Sequence, residues 1–365
     1  MPKTLSLVIP CYNEERTLKA CVERVLALAS DDLKLQIIIV DDCSRDASLE
    51  IARGLEAAHP EIVVMHHAKN AGKGAALHTG IARATGDYVG IQDADLEYDP
   101  LQYRRLLAPM LEDRADVVFG SRYLQTQSRR VLYFWHTWMN RTLTLVSNLF
   151  TNLDITDMET CYKLFRRELI QSLTLHEKRF GFEPEVTARI AQTRCRVYEV
   201  AIDYTPRTYE EGKKINWKDG VRALYCILHY GAPSAPLPMQ LLMYALIGAV
   251  CALFNVVLFE VLIGRGLTVG WAVAAAFVAA AALNYWLCIE ILFQHKARWS
   301  TAGEIIAYGV TVALMGLIDV GVTVGLVAAG LTATAAKIIS VGIGFIGNFL
   351  LRRFLVFPKP EVVRI

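Results

Sequence analysis

The chain has 365 residues, enough for two domains, with 54% hydrophobic residues and a formal net charge of +2. Charged residues are plentiful up to about residue 230 and sparse after Pro238; no long basic run appears, so nucleic acid is not expected as a partner. Eight cysteines, none in a C-x-x-C pair and most inside apolar segments, argue against a zinc site or a disulfide framework and read as reduced, buried thiols.

The N-terminal run MPKTLSLVIP is too short for a secretory signal and leads straight into a strand over residues 5–9. Pro10, Cys11 and Tyr12 then turn the chain, and Asn13 is expected to cap a helix with Glu14 and Glu15 in its first turn. Leu18, Cys21, Val22, Val25 and Leu28 follow the helical period. A second buried strand over 35–40 ends at Asp41 and Asp42, a helix runs to residue 58, and a third strand covers 62–65. The loop Asn70-Ala71-Gly72-Lys73-Gly74 opens a helix over 75–84. It lacks the G-x-x-x-x-G-K-[ST] pattern, yet its glycines permit close backbone approach and Lys73 offers a cation to a nucleotide; in isolation a solvated lysine in a turn explains it equally well.

A fourth strand over 88–91 delivers the stretch DADLEYDP, residues 93–100. On an extended backbone Asp93, Asp95 and Glu97 point to one side. Clustered carboxylates repel unless a cation joins them. Oxygen ligands favour Mg2+ or Mn2+, held by one or two carboxylates while substrate phosphates complete the shell. Taken alone, such a triplet is more often a solvated acidic turn. The alternation of strands and helices implies an α/β fold with a mostly parallel sheet covered on both faces. Ligands of such sheets bind at the carboxyl ends of the strands, where residues 10–14, Asp41 and Asp42, the glycine loop and the acids all fall.

The stretches LSLVIPCYNEERTL, IIIVDDCSRDAS, NAGKGAALHTGIARATGDYVGIQDADLEYDP and VVFGSRY, in that order over roughly residues 4–230, resemble the family-2 glycosyltransferases with a GT-A, Rossmann-like fold. Within them the likeness is to the polyprenyl-phosphate branch, the dolichyl-phosphate mannose or glucose synthases. The resemblance implies that Pro10, Tyr12, Glu14, Asp41 and Asp42 hold the donor nucleoside with Lys73 beside them. Asp93 then lies near the ribose, and Asp93, Asp95 and Glu97 are metal ligands. The reaction it implies is an inverting transfer of a hexose from a GDP-mannose or UDP-glucose type donor to a polyprenyl phosphate. Asp93, Asp95, Arg122 and Arg207 are expected at the reacting centre. Arg122 follows a strand at 117–119 and Arg207 a strand at 197–204, so both are expected to clamp the acceptor phosphate, with Lys213 and Lys214 as second choices. Asp157 and Glu159 lie where relatives place an acidic residue on the acceptor side of the cleft, and Glu183 and Glu185 read as first-turn chemistry around Pro184. Two rival readings stand beside this one. A glycosyltransferase acting on a glycan or glycolipid hydroxyl would need a base, for which Asp157 is the choice; a lipid-linked-sugar transporter or scaffold would only bind nucleotide.

Residues 129–150 mix Arg129, Arg130 and Arg141 with Tyr133, Phe134, Trp135 and Trp138, which suits a membrane interface, and residues 216–231 place Lys218 and Arg222 among Trp217, Val221, Leu224 and Tyr225. We divide the chain into a catalytic domain over 1–232 and an all-α membrane domain over 233–365, with four spans near 239–263, 268–292, 304–328 and 333–357. The membrane half repeats itself at an offset of 64, pairing Tyr244 with Tyr308, Asn284 with Asn348 and Gly266 with Gly330. It resembles the GtrA family of small four-span proteins. Lys296 and Arg298 after the second span, and Arg352, Arg353, Lys359 and Arg364 at the end, place those segments and the catalytic domain in the cytoplasm. The stretch from Gln294 to Trp299 is one residue too long for the Q-x-x-R-W motif of processive synthases and reads as an interfacial loop. A homo-oligomer is left open.

Overall fold

The computed structural model describes residues 2–124, 130–206, 217–293 and 301–356. The chain divides into two compact units, one up to Gly231 and one from Ala232.

The first unit is built on a seven-stranded sheet with strands β1 (Lys3–Cys11), β2 (Leu33–Asp41), β3 (Ile62–His66), β4 (Tyr88–Ile91), β5 (Val117–Ser121), β6 (Lys163–Arg166) and β7 (Val197–Ala201) in the order β3-β2-β1-β4-β6-β5-β7. The pairs β1–β2, β1–β4, β2–β3 and β5–β7 are parallel, whereas β6 runs antiparallel to both β4 and β5. The central strands read as unbroken apolar runs because helices cover both faces: Leu7, Val8, Ile9, Ile37, Ile38, Ile39 and Val40 are fully buried. The helices are α1 (Leu18–Leu26), α2 (Ser48–Ala58), α3 (Lys73–Arg83), α4 (Tyr103–Leu111), α5 (Phe134–Thr151), α6 (Arg167–Ser172), α7 (Phe182–Thr193) and α8 (Trp217–Gly231). This is the expected Rossmann-like, mostly parallel architecture. Strand β6 is the element that periodicity does not reveal, since it has four residues and begins with a lysine. Being antiparallel, it brings the start of β6 to the rim formed by the carboxyl ends of the other strands.

Two local expectations are corrected. Asn13 does not cap a helix: its φ is +55°, and α1 begins five residues later after Thr17. Its backbone N–H donates to Ser44 Oγ at 3.0 Å and its Oδ1 accepts from the Arg45 N–H at 2.8 Å, so it ties the loop after β1 to the loop after β2. The acidic stretch is not extended. Strand β4 stops at Ile91 and the chain bends over residues 94–98, so the period of two no longer governs where Asp93, Asp95 and Glu97 point.

The second unit is helical: α9 (Leu237–Gly264), α10 (Val269–Leu287), α11 (Thr301–Ala328) and α12 (Ala333–Leu351). Helices α9 and α11 start 301 − 237 = 64 residues apart, as do α10 and α12 (333 − 269 = 64). Gly266 and Gly330 hold the matching positive-φ turns, and π-helical turns follow at Cys288–Phe293 and Arg352–Val356. Among the described residues two segments are long and apolar enough to cross a bilayer core, Leu237–Gly264 and Ala274–Phe293. Arg352 is buried within this unit, donating to Asn284 Oδ1 at 2.6 Å and Asn348 Oδ1 at 3.1 Å, two asparagines at equivalent repeat positions. It is an interior group and not a flanking loop charge. Of the charges used for orientation, Lys296, Arg298, Lys359 and Arg364 lie outside the described residues.

Candidate active site

The carboxyl rim of the sheet is held together by carboxylates that accept backbone N–H groups. Asp42, just past β2, accepts from the Ala71 N–H at 2.9 Å on one oxygen and from the Gly72 N–H at 2.7 Å on the other, and lies 2.7 Å from His67 Nδ1. Asp42 therefore also seats the glycine loop. Asp41 is fully buried; its Oδ2 accepts from the Ser44 N–H at 3.1 Å and lies 2.9 Å from His66 Nδ1, while Oδ1 has no hydrogen-bond partner among the described residues. The pairing of β1 with β2 runs through Pro10, opposite Val40, to Cys11, opposite Asp41, and Tyr12 is half-buried just beyond it. The Glu14 N–H donates to Ser48 Oγ at 2.8 Å, and its carboxylate accepts from Thr17 Oγ1 at 2.9 Å.

Lys73 opens α3, one residue after Gly72 with φ +99°. Its Nζ lies 2.9 Å from Asp93 Oδ1 and 3.3 Å from Glu183 Oε1. Burial alone would lower the ammonium, yet Asp93, and more weakly Glu183, hold it well above its ordinary value. Glu183 is thus more than first-turn chemistry for α7. The three acids expected as one ligand set separate: Asp93 pairs with Lys73, Asp95 is buried and accepts the Glu97 N–H at 3.0 Å, and Glu97 accepts from Tyr204 OH at 2.9 Å. Among the described residues no three His, Cys, Asp or Glu side chains gather closely enough to hold a metal ion by themselves. The all-oxygen pair Asp93 and Asp95 still fits magnesium or manganese, which take one or two protein carboxylates and leave the other positions to phosphate and water.

Arg122, expected to clamp the acceptor, has its fork committed elsewhere. Its Nε and one terminal nitrogen donate to the two oxygens of Asp157 at 2.7 and 2.8 Å, and its backbone N–H adds a third bond to that carboxylate at 3.0 Å. The guanidinium lies over the rings of Tyr204 at 5.2 Å and Tyr123 at 5.7 Å. Asp157 is fully buried, so the base suggested for a hydroxyl acceptor is already spent on an ion pair. Arg207, Lys213 and Lys214 lie outside the described residues. Arg130 donates to the Pro206 carbonyl at 3.5 Å and brings a guanidinium to the end of the chain that follows β7.

Beside this pair, β6 begins with a buried lysine. Lys163 Nζ donates to the carbonyls of Met158, at 2.8 Å, and Thr160, and lies over the Phe119 ring. Glu159 Oε1 is buried with no hydrogen-bond partner among the described residues. Burial, and next the Glu183 carboxylate, push the Glu159 carboxyl up to about 7. An unfolded glutamate releases its proton near ~4.3. From that pH up to about 7 the folded chain keeps a proton that the unfolded chain has lost, so this residue makes stability fall as pH rises through the window. Glu159→Gln, neutral throughout, should therefore gain stability relative to the parent as pH goes from about 5 to about 8. Unfolding midpoints across that range check it, and parallel curves would rule it out.

Periodicity and the resemblance miss His67, Tyr98, Tyr162 and Lys163. Each lies beyond or beside a rim strand, and Tyr162 OH donates to Gln92 Oε1 at 2.7 Å while its ring stacks on Tyr98. For His67 the signal available in the sequence is a polar residue directly after a strand; Tyr98, Tyr162 and Lys163 carry no such signal. The aromatic ends of α5 and α8 are open: Trp135 and Trp217 are each 72% exposed, and Phe134, Trp138, Val221 and Tyr225 are exposed as well. Helices α5 and α8 pack on one another.

Residues 6–174 match the profile of Glycosyl transferase family 2, and residues 243–357 match that of the GtrA/DPMS transmembrane domain. The chain is 29% identical over 285 residues to an undecaprenyl-phosphate 4-deoxy-4-formamido-L-arabinose transferase of Pseudomonas syringae pv. syringae, covering 77% of this chain and 80% of that one. It is 27% identical over 217 residues to a dolichyl-phosphate beta-glucosyltransferase of Drosophila melanogaster, covering 55% and 67%. Among solved structures, glucosyl-3-phosphoglycerate synthase from Mycobacterium tuberculosis aligns with a TM-score of 0.49 at 21% identity, over 64% of this chain and 81% of that one.

Proposed function

We propose, for a chain that belongs to glycosyltransferase family 2 over residues 6–174 and carries a GtrA/DPMS transmembrane domain over residues 243–357, that it transfers a hexose from a nucleotide-diphosphate sugar to a polyprenyl phosphate at the cytoplasmic face of a membrane. The observation that supports this reading best is a lysine, two acids and a glycine loop at the carboxyl rim of a parallel sheet, in a unit that also exposes the aromatic faces of α5 and α8. Two relatives act, by their names, on undecaprenyl phosphate and dolichyl phosphate. The membrane half is read as four spans, with Lys296, Arg298 and the C-terminal basic residues in the cytoplasm.

Asp41 and Asp42 line the nucleoside end of the rim, and Tyr12 and Glu14 border the nucleoside. Lys73 directs its ammonium toward the diphosphate from the start of α3, steadied by Asp93 and Glu183. Magnesium or manganese held by Asp93 and Asp95 would supply further positive charge against the leaving diphosphate. The acceptor phosphate, with a second pKa near ~6, is mostly dianionic at neutral pH and needs no general base. Its oxygen attacks the anomeric carbon directly, the bond to the diphosphate breaks, and the configuration inverts. Arg207, Lys213 and Lys214 are the proposed clamp for that phosphate, since Arg122 is engaged by Asp157. That same engagement removes the base on which transfer to a hydroxyl would depend. Purified full-length protein given polyprenyl phosphate, Mg2+ or Mn2+ and labelled UDP-glucose or GDP-mannose should form a lipid-extractable, acid-labile sugar product. Release of free sugar alone, or label passing only to a glycan, would overturn the reading.

A further inference from the structure

The loop between α6 and α7 joins α8 to the glycine loop. On the outer side, Glu177 is buried and its carboxylate is gripped from α8: Arg222 donates to its two oxygens at 2.6 and 3.2 Å, and Tyr230 OH donates at 3.1 Å. From α7, Glu185 accepts the backbone N–H groups of His176 at 2.9 Å and Glu177 at 2.7 Å. On the inner side, the Lys178 carbonyl accepts the Ala75 N–H at 3.1 Å. The Glu177 and Lys178 carbonyl oxygens sit so close to Gly74 and Gly72 that a Cβ at either glycine would overlap them. Lys73, between those glycines, carries the charge facing Asp93. Arg222 stands at the edge of the exposed face of α8, its guanidinium 4.7 Å from the Tyr225 ring, with Trp217, Val221, Leu224 and Tyr225 open beside it.

We propose that Arg222 and Glu177 are positioning residues through which the seating of α8 on a lipid surface sets the donor affinity of the glycine loop. This rests on the reading that the rim around Lys73 binds a nucleotide-diphosphate sugar. The physical basis is steric. The two glycines leave no slack between loops, so a shift of residues 177–178 moves Lys73 with it. The carboxylate that fixes those residues from the outside is paired with a side chain of the lipid-facing helix.

The test uses the full chain, in detergent micelles and in bilayer nanodiscs of phosphatidylglycerol and phosphatidylethanolamine, with UDP and GDP titrated in the presence of MnCl2. The parent should bind one of the two nucleotides, and bind it more tightly in the bilayer. Arg222→Gln should weaken that binding roughly tenfold, worth about one charge-assisted hydrogen bond, and abolish the difference between bilayer and micelle. Arg222→Lys should restore part of both. In steady state Arg222→Gln should raise the donor KM and leave kcat at saturating donor close to the parent, a split that general destabilisation does not produce. The pair Trp217→Ser with Val221→Ser leaves Arg222, Glu177 and Tyr225 in place, and should lose only the bilayer dependence. If the parent binds neither nucleotide, the nucleotide-sugar reading itself fails. If it binds but is indifferent to the bilayer, or if Arg222→Gln binds as the parent does in both settings, the relay is overturned while that reading stands.

Discussion

Asp95→Asn should reduce sugar transfer by roughly 10²–10³-fold or more, the scale of losing one preorganised electrostatic contact at a reacting centre. Asp95 is buried just past β4, where its Oδ1 accepts the Glu97 N–H. The amide of Asn keeps an oxygen for that bond, so the bend over residues 94–98 should survive. What it cannot keep is the negative charge that a hard divalent cation requires. The unfolding midpoint and membrane insertion should stay near those of the parent, while turnover with MgCl2 or MnCl2 collapses. Binding of UDP or GDP should lose its response to added Mn2+. Near-normal turnover in this variant would remove Asp95 from the proposed ligands and leave Asp93, already paired with Lys73, as the sole carboxylate on offer.

The strands that carry continuous apolar runs, β1, β2 and β4, are legible within two residues because burial on both faces leaves no polar interruption to misread. Strand β6 is not, because Lys163 at its head is satisfied by the Met158 and Thr160 carbonyls, a tertiary arrangement without a local signature. That Asp41, Asp42, Lys73 and Asp93 gather on one rim was legible for a topological reason: a parallel sheet presents the residues at the carboxyl ends of its strands on one edge. Individual roles were less so. Asp42 reads as a ligand group from its motif, yet its oxygens hold the Ala71 and Gly72 N–H groups. The alternating acids suggest a common face, but that inference holds only on an extended chain, and the sheet ends at Ile91. Glu183 and Glu185 follow a first-turn pattern, and only the folded chain shows one facing Lys73 and the other fastening residues 176–177. Propensity locates elements, whereas the partner of a charged side chain is decided by contacts far away in sequence.

Arg122→Met should be among the most destabilising substitutions in the catalytic unit. The side chains of Arg122 and Asp157 are 10% and 0% exposed, and removing one partner of such a pair typically costs about 3–5 kcal/mol because the other charge stays buried without compensation. Asp157 would retain the Arg122 backbone N–H and lose both guanidinium bonds. Arg122→Lys should fall between, since an ammonium keeps the charge but not the planar fork. Replacing both residues together, Arg122→Met with Asp157→Leu, should recover much of the loss, as removal of a whole buried pair often does. Denaturant unfolding of the parent, Arg122→Met, Asp157→Leu and the double variant measures this as a double-mutant cycle. The functional consequence follows from the ring contacts. Arg122 lies over Tyr204, whose hydroxyl holds Glu97, and the Thr205 N–H donates to the Glu97 carbonyl at 2.9 Å. Loss of Arg122 should therefore loosen the acidic bend and the chain at Tyr204 and Thr205 together, and donor and acceptor kinetics should decline in step with stability. If Arg122→Lys instead keeps the parent's stability and donor affinity but fails with polyprenyl phosphate, the guanidinium serves the acceptor directly, and the pairing with Asp157 is the resting arrangement from which it is recruited.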